Sequence, residues 1–274
     1  MKLYRAIVFA CSHIVTLLVL NGTIFSNPLD TSNHCSRAID EWLSSVGQKA
    51  SFMRLKNGLT VAFFEKKDAL DVHIRLSYKV GSKDEQPHQY GYAHLVEHMI
   101  FKGTDKLAEQ DIWRLAQAFC EGGRTNAATS FDATWYFFNT DKEHWPLFVD
   151  VLADCMQHVR FDQDHFASEV RAVFQEIKET DSDGIGNLGA ILSSVLPANH
   201  PYAHSVIGFK QQILTAQVED LRAFYNQHYT PDRAILIGVG NLAKEDFFAK
   251  VEESFGGISG REVSELTVPN KSLG

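Results

Sequence analysis

The sequence predicts an α+β domain, an antiparallel-rich mixed sheet packed by helices. Three observations predict it. Asn57-Gly58 sits between two alternating apolar runs spanning Phe52 to Phe64, a strong hairpin signal and so an antiparallel strand pair. Val72 to Val80 and Asn126 to Thr140 alternate apolar and polar residues, as half-buried strands do. Other stretches place their apolar residues at helical spacing instead.

The elements follow in chain order. Lys2 and Arg5 precede an apolar run from Ala6 to Leu20, interrupted by Ser12-His13. A charged n-region followed by a short apolar core is a secretory signal, expected over residues 1–26 with Ser26 before Asn27 as one candidate cleavage point. Secretion or a periplasmic location follows. The run is short of the roughly 20 apolar residues a membrane span needs, although a retained signal would anchor the chain in a membrane. Residues 27–50 read as a polar N-terminal extension with a short amphipathic patch from Ala38 to Leu43.

The domain itself is expected over residues 51–257. After the hairpin, Val72, Ile74, Leu76 and Tyr78 mark a strand, and a helix carrying His94 and His98 ends near Gly103. Ala108 to Phe119 is expected as a helix with Ile112, Leu115, Ala116 and Phe119 on one face. Asn126 to Thr140 is expected as one strand, Trp145 to Arg160 and Asp162 to Thr180 as helices. Val218 to His228 is a further helix, and Arg233 to Gly240 a buried strand. Residues 258–274, with Pro269, Asn270 and Ser272, form a linker-like tail.

Composition excludes some functions. A net charge of −8 over 274 residues argues against nucleic-acid binding and suits basic or unstructured peptides. A 45% hydrophobic content supplies a sizeable core. Signal cleavage removes Cys11 and leaves Cys35, Cys120 and Cys155, an odd number with no C-x-x-C pair, so neither a disulfide framework nor a cysteine zinc site is expected. Gly238-Val239-Gly240-Asn241-Leu242-Ala243 fits G-x-G-x-x-A after a strand. A dinucleotide fold requires further βα units after it. Too little chain remains, and the cofactor reading is set aside.

Chemistry concentrates at His94-Leu95-Val96-Glu97-His98. Histidines four apart on a helix lie about 40° apart around its axis, so both imidazoles can reach one metal ion. Glu97 projects beside them, towards a water. Catalytic zinc takes three protein ligands and leaves the fourth position to water. H-x-x-E-H is the order of the inverted zinc peptidases. A third ligand is still needed, and Glu169 and Glu176 share one face of the Asp162–Thr180 helix, two turns apart. Either can bind the metal while the other orients a histidine.

The context Gly91-Tyr92-Ala93-His94 through His98-Met99-Ile100-Phe101-Lys102-Gly103-Thr104 resembles the pitrilysin family, which includes insulin-degrading enzyme and the mitochondrial processing peptidase. Three further stretches match in order: Glu169 to Glu176; Gly123 to Ala127 with Thr129, Asp132, Thr134 and Tyr136; and His200-Pro201-Tyr202 with Ile207-Gly208. The likeness runs from about Phe52 to Gly257. It implies a single pitrilysin-type half-domain, with one Zn2+ per chain held by His94, His98 and Glu176. It implies Glu97 as general base and Glu169 as a supporting acid behind a ligand. It further implies that Asn126, Ala127, Ala128 and Thr129 pair with the substrate backbone as an added strand. His144, His158, His165, His200, His204 and His228 are expected to be surface or structural residues.

Members of this family carry two homologous halves, in one polypeptide or as two subunits. This chain stops at Gly274. The resemblance therefore implies a catalytic half that works with a partner subunit or as a homodimer; a fragment of a longer chain reads the same. The function expected is zinc-dependent hydrolysis of peptides or unfolded segments. A metal-keeping subunit without activity of its own is the alternative, and hydrolysis of a non-peptide amide at the same zinc is a third possibility.

Overall fold

The computed structural model describes residues 50–182 and 195–260. The expected signal peptide, the amphipathic patch at Ala38–Leu43, Cys11, Cys35 and most of the tail lie outside the described residues. Among those described, no helix is long and apolar enough to cross a membrane.

The Asn57-Gly58 signal builds a hairpin of β1 (Ala50–Arg54) and β2 (Thr60–Glu65), paired antiparallel with Phe52 opposite Ala62. Asn57 does more than turn the chain. Its side-chain amide donates to the carbonyls of Phe255 (2.8 Å) and Ile258 (3.0 Å), so the hairpin loop holds the far end of the described chain.

β3 (Asp71–Tyr78) alternates buried and half-buried residues along its whole length, the signature of a sheet covered on one face. The single strand expected over Asn126–Thr140 is instead two, β4 (Cys120–Thr129) and β5 (Thr134–Asp141), paired antiparallel. The turn between them is closed by Ser130, whose Oγ accepts from the backbone N–H groups of Asp132 (3.3 Å) and Ala133 (3.1 Å). Alternation continues in step on either side, which made two strands read as one. β6 (Ala234–Gly240) returns late in the sequence to lie parallel to β2 and antiparallel to β3. The sheet order is β1-β2-β6-β3-β5-β4, mixed and mostly antiparallel, with β4 on an edge.

Seven α-helices are described: α1 (Tyr92–Ile100), α2 (Glu109–Phe119), α3 (Trp145–His158), α4 (Gln163–Ser182), α5 (Lys210–Thr215), α6 (Val218–His228) and α7 (Lys244–Phe255). α1, α3 and α7 pack on the sheet. Between them lies one core of Val61, Phe63, Ile74, Leu76, Tyr136, Phe138, Phe148 and Phe247, all essentially inaccessible. Burying such side chains contributes roughly 1.5–3 kcal/mol each before chain entropy is charged. The six-residue helix α5 had no counterpart in the sequence reading.

The G-x-G-x-x-A stretch has a packing role. A Cβ on Gly238 would lie 2.4 Å from the ring of Phe247, so the missing side chain is what lets α7 lie close against β6.

Candidate metal centre

α1 is short, and every apolar residue in its middle faces inward: Leu95, Val96, Met99 and Ile100 are fully buried. That leaves His94, Glu97 and His98, at i, i+3 and i+4, together on the remaining face. The helix begins at Gly91, whose φ of +96° is left-handed and whose Cβ, if present, would lie 2.5 Å from Ile213 Cδ1. Its first turn is capped by a residue distant from it in kind. The buried carboxylate of Glu85 accepts from the N–H groups of Gly91 (2.9 Å) and Ala93 (2.8 Å).

α4 packs against α1 with Val173 and Ile177 buried and both of its spaced carboxylates turned to the histidines. Glu176 reaches both rings: Oε2 is 3.6 Å from His94 Nε2, and Oε1 is 3.7 Å from His98 Nε2. Glu169 does something different. Its Oε2 accepts from His98 Nδ1 at 3.0 Å, on the opposite side of the same ring. Glu97 turns the other way, and its Oε2 accepts from Thr129 Oγ1 on β4 at 2.5 Å. Lys102 Nζ, just past the end of α1, donates to Glu169 Oε1 (2.9 Å) and Glu109 Oε1 (2.8 Å).

The electrostatics follow from burial and these contacts. Burial, helped by the neighbouring His98, pushes His94 down to about 4, so at neutral pH its imidazole is uncharged and has a lone pair to give. Burial also pulls on His98, but the hydrogen bond to Glu169 and the nearby Glu176 carboxylate outweigh it and hold the ring up to about 9. A metal binding there has to displace a proton. The interaction with the nearby His98 ring keeps Glu176 below the usual carboxylate range. Glu97 moves up, because burial outweighs the lowering effect of Thr129 and His98.

Among the described residues, one imidazole nitrogen each from His94 and His98 and one oxygen of Glu176 lie within 4.8 Å of one another. Two neutral-capable imidazoles and a carboxylate are ordinary zinc ligands, and the 3.6 and 3.7 Å separations are close to the ~3.3 Å edge of a tetrahedron with ~2.05 Å bonds. The donor set fits zinc. Beside it opens a cleft of about 230 Å3, with Glu97, Lys102 and Glu169 on its polar side and Phe101, Trp113 and Ala127 on its apolar side.

Residues 60–207, which contain all of these groups, match the sequence profile described as Insulinase (Peptidase family M16). The chain belongs to the M16 peptidase family. Residues 215–273 match a second M16 profile, described as the inactive domain. Zinc protease PqqE of Helicobacter pylori is 30% identical over 224 residues, covering 81% of this chain and 50% of that protein. A zinc protease of Bacillus subtilis, YmxG, is 31% identical over 202 residues, or 73% of this chain and 48% of its own length. A crystal structure of a protease from H. pylori superposes with a TM-score of 0.74 at 29% identity, over 81% of this chain and 53% of that one. The chain thus spans about half the length of the M16 relatives it matches.

Of the residues singled out in the sequence, His94, His98, Glu97, Glu169 and Glu176 come together. Asn126 to Thr129 lie on the edge strand β4 beside them. Asn126 is exposed, and its Oδ1 accepts from the N–H of Ala127 (2.9 Å). Glu85, Lys102 and the Thr129 contact to Glu97 had no sequence signal, since each joins residues far from local helical spacing. Among the other histidines, His204 is buried and stacked on Tyr90, while His144 and His158 sit on Asp141 and Asp154.

Proposed function

We propose that this M16 chain is the zinc-bearing half of an endopeptidase acting on peptides or unfolded polypeptide segments. The observation that carries the reading is the convergence of His94, His98 and Glu176 within 4.8 Å, with Glu97 on the same helix face. One Zn2+ per chain would be held by those three residues. When bound it would supply Lewis-acid polarisation of a carbonyl and acidify water to a pKa of roughly 7.

The chain's own groups do the rest. Glu97, its carboxylate aimed by Thr129, takes the proton of the attacking water and passes it to the leaving amine, with no covalent intermediate. Glu169, bonded to His98 Nδ1, fixes the orientation of that ring so that its Nε2 faces the metal position. Asn126 to Thr129, on the free edge of the sheet, offer main-chain groups to an extended substrate, which would admit many sequences. Export through residues 1–26 would put the enzyme in the periplasm or outside the cell, or at the membrane if that segment is retained.

A second reading has its own support. Residues 215–273 match the profile described as the inactive domain of this family. On that reading it is a subunit that hydrolyses peptides only with a second homologous half, from a partner or from a homodimer.

The test is hydrolysis of a mixed quenched-fluorescence peptide library by the zinc-loaded chain, beside Glu97→Gln. Cleavage that disappears in Glu97→Gln with zinc still bound supports a competent half. Zinc retained without cleavage by either protein favours the partner-dependent subunit. Failure to hold zinc removes the ligand assignment.

A further inference from the structure

We infer that Lys102 is a positioning residue of this zinc centre, setting the aim of Glu169 and through it the ring of His98. The inference rests on the zinc reading above. A chain of contacts runs outward from the proposed ligand: His98 Nδ1 to Glu169 Oε2 at 3.0 Å, Glu169 Oε1 to Lys102 Nζ at 2.9 Å, and Lys102 Nζ to Glu109 Oε1 at 2.8 Å. The two oxygens of Glu169 are thus divided between the histidine and the lysine. With both oxygens bonded, the carboxyl plane is fixed, and so is the ring to which it is bonded.

Burial makes the lysine necessary. The Glu169 side chain is 9% exposed, so water has little access to serve the second oxygen. A buried anion left with one partner is costly, and its cheapest remedy is to rotate or withdraw. Without Lys102, Glu169 also lies in the same neighbourhood as Glu109 with no cation between them. The position of Lys102 suits the task, because it follows α1 directly and its backbone N–H still bonds the carbonyl of Met99 (3.0 Å). A cation at a helix C-terminus is favoured by the helix dipole. Its head therefore moves with the helix that carries His94 and His98, while its two carboxylates come from α4 and α2.

Partners behind a metal-binding histidine typically carry 10–100-fold in metal affinity. Lys102→Met keeps the stem and removes the charge; Lys102→Arg keeps the charge. Zinc affinity is measured by competition with a chelating dye, and the coordination of Co2+ by its visible absorption, on the full chain, with circular dichroism to confirm folding. Lys102→Met is expected to bind zinc 10–100-fold more weakly with an altered Co2+ spectrum, and Lys102→Arg to recover most of the affinity. In a Glu169→Gln background, Lys102→Met should cost less than threefold more, since the lysine then has nothing to aim.

A folded Lys102→Met with wild-type zinc affinity and Co2+ spectrum overturns the inference and leaves the zinc reading intact. So does a full additional loss in the Glu169→Gln background. If Lys102→Met does not fold, Lys102→Gln takes its place: wild-type zinc affinity and Co2+ spectrum in a folded Lys102→Gln, or loss of affinity in Lys102→Arg, also overturns it. A wild-type chain that binds no zinc overturns the zinc reading itself, and the positioning role falls with it.

Discussion

Thr129 Oγ1 donates to Glu97 Oε2 at 2.5 Å, so the edge strand β4 holds the carboxylate that helix α1 presents. β4 therefore does two things at one residue. Its outer side is an edge of the described sheet, and its last side chain fixes the group proposed to move the proton.

Thr129→Val keeps the shape and removes the donor. A hydrogen bond to a charged group contributes roughly 1.5–3 kcal/mol, and a tenfold or greater fall in kcat is expected with zinc affinity unchanged. The bond also favours the ionised form of Glu97, whose pKa already stands above the ordinary range because of burial. Activity requires the ionised form, so it is lost as pH falls. Removing the bond should move that acid limb of kcat/KM to higher pH. A change in KM alone, with the limb in place, would mean that Thr129 serves only to pair with substrate.

Zinc should stabilise the folded chain by mass action. At a thousandfold excess over Kd the gain is about 4 kcal/mol. For a domain of this size that is roughly 8–16 °C in Tm. Glu176→Gln, which replaces the proposed ligand carboxylate by a neutral amide, should abolish the rise, whereas Glu169→Gln should reduce it. Thermal melts with zinc and with chelator check both. An undiminished zinc-dependent rise in Glu176→Gln would remove Glu176 from the ligand set.

The grouping of the candidate metal residues was legible in the sequence because helices convert spacing into direction. His94 and His98 four apart, and Glu169 and Glu176 seven apart, had to share faces whatever the tertiary fold. Nothing comparable announces Glu85, Lys102 or the Thr129 contact. Glu85 caps α1 from six and eight residues before its partners Gly91 and Ala93, outside the helix it caps, and Thr129 meets Glu97 from 32 residues away. The hairpin was readable from Asn57-Gly58. The β4–β5 turn was hidden because Ser130-Phe131-Asp132-Ala133 has neither glycine nor proline, and its closure depends on a serine hydroxyl. The placing of β6 between β2 and β3 is a long-range pairing that alternation in β6 alone does not specify.

Gly238 tests the packing of α7 on the sheet. In Gly238→Ala the new methyl would meet the ring of Phe247 at 2.4 Å. That ring is fully buried, 5.0 Å from Phe63 and 5.6 Å from Trp145 between centroids, so it has little room to retreat. Overpacking of this kind costs about 1–3 kcal/mol. Urea unfolding should show that loss with zinc affinity unchanged, because the proposed metal ligands lie on α1 and α4. A phosphate-binding role for the glycine stretch would predict instead a stable protein that loses nucleotide affinity.

Glu85 ties the pH dependence of stability to the helix that carries the histidines. Burial outweighs its two backbone hydrogen bonds and pushes its carboxyl up to about 8, from 4.5 in free form. Between those values the folded chain keeps a proton that the unfolded chain has lost. Stability from this group therefore falls as pH rises from about 4.5 to about 8. Glu85→Gln cannot ionise, so its unfolding free energy should lose that part of the slope. The amide oxygen can serve only one of the two N–H groups well, and the NH2 faces the other, so the variant should be about 1–3 kcal/mol less stable at pH 5. The gap should close and then reverse towards pH 8, where the wild-type carboxylate is charged and buried. Urea melts of both proteins at three pH values measure this directly. Parallel slopes for the two proteins would show that Glu85 is ionised throughout, and that the helix dipole and two N–H bonds outweigh burial.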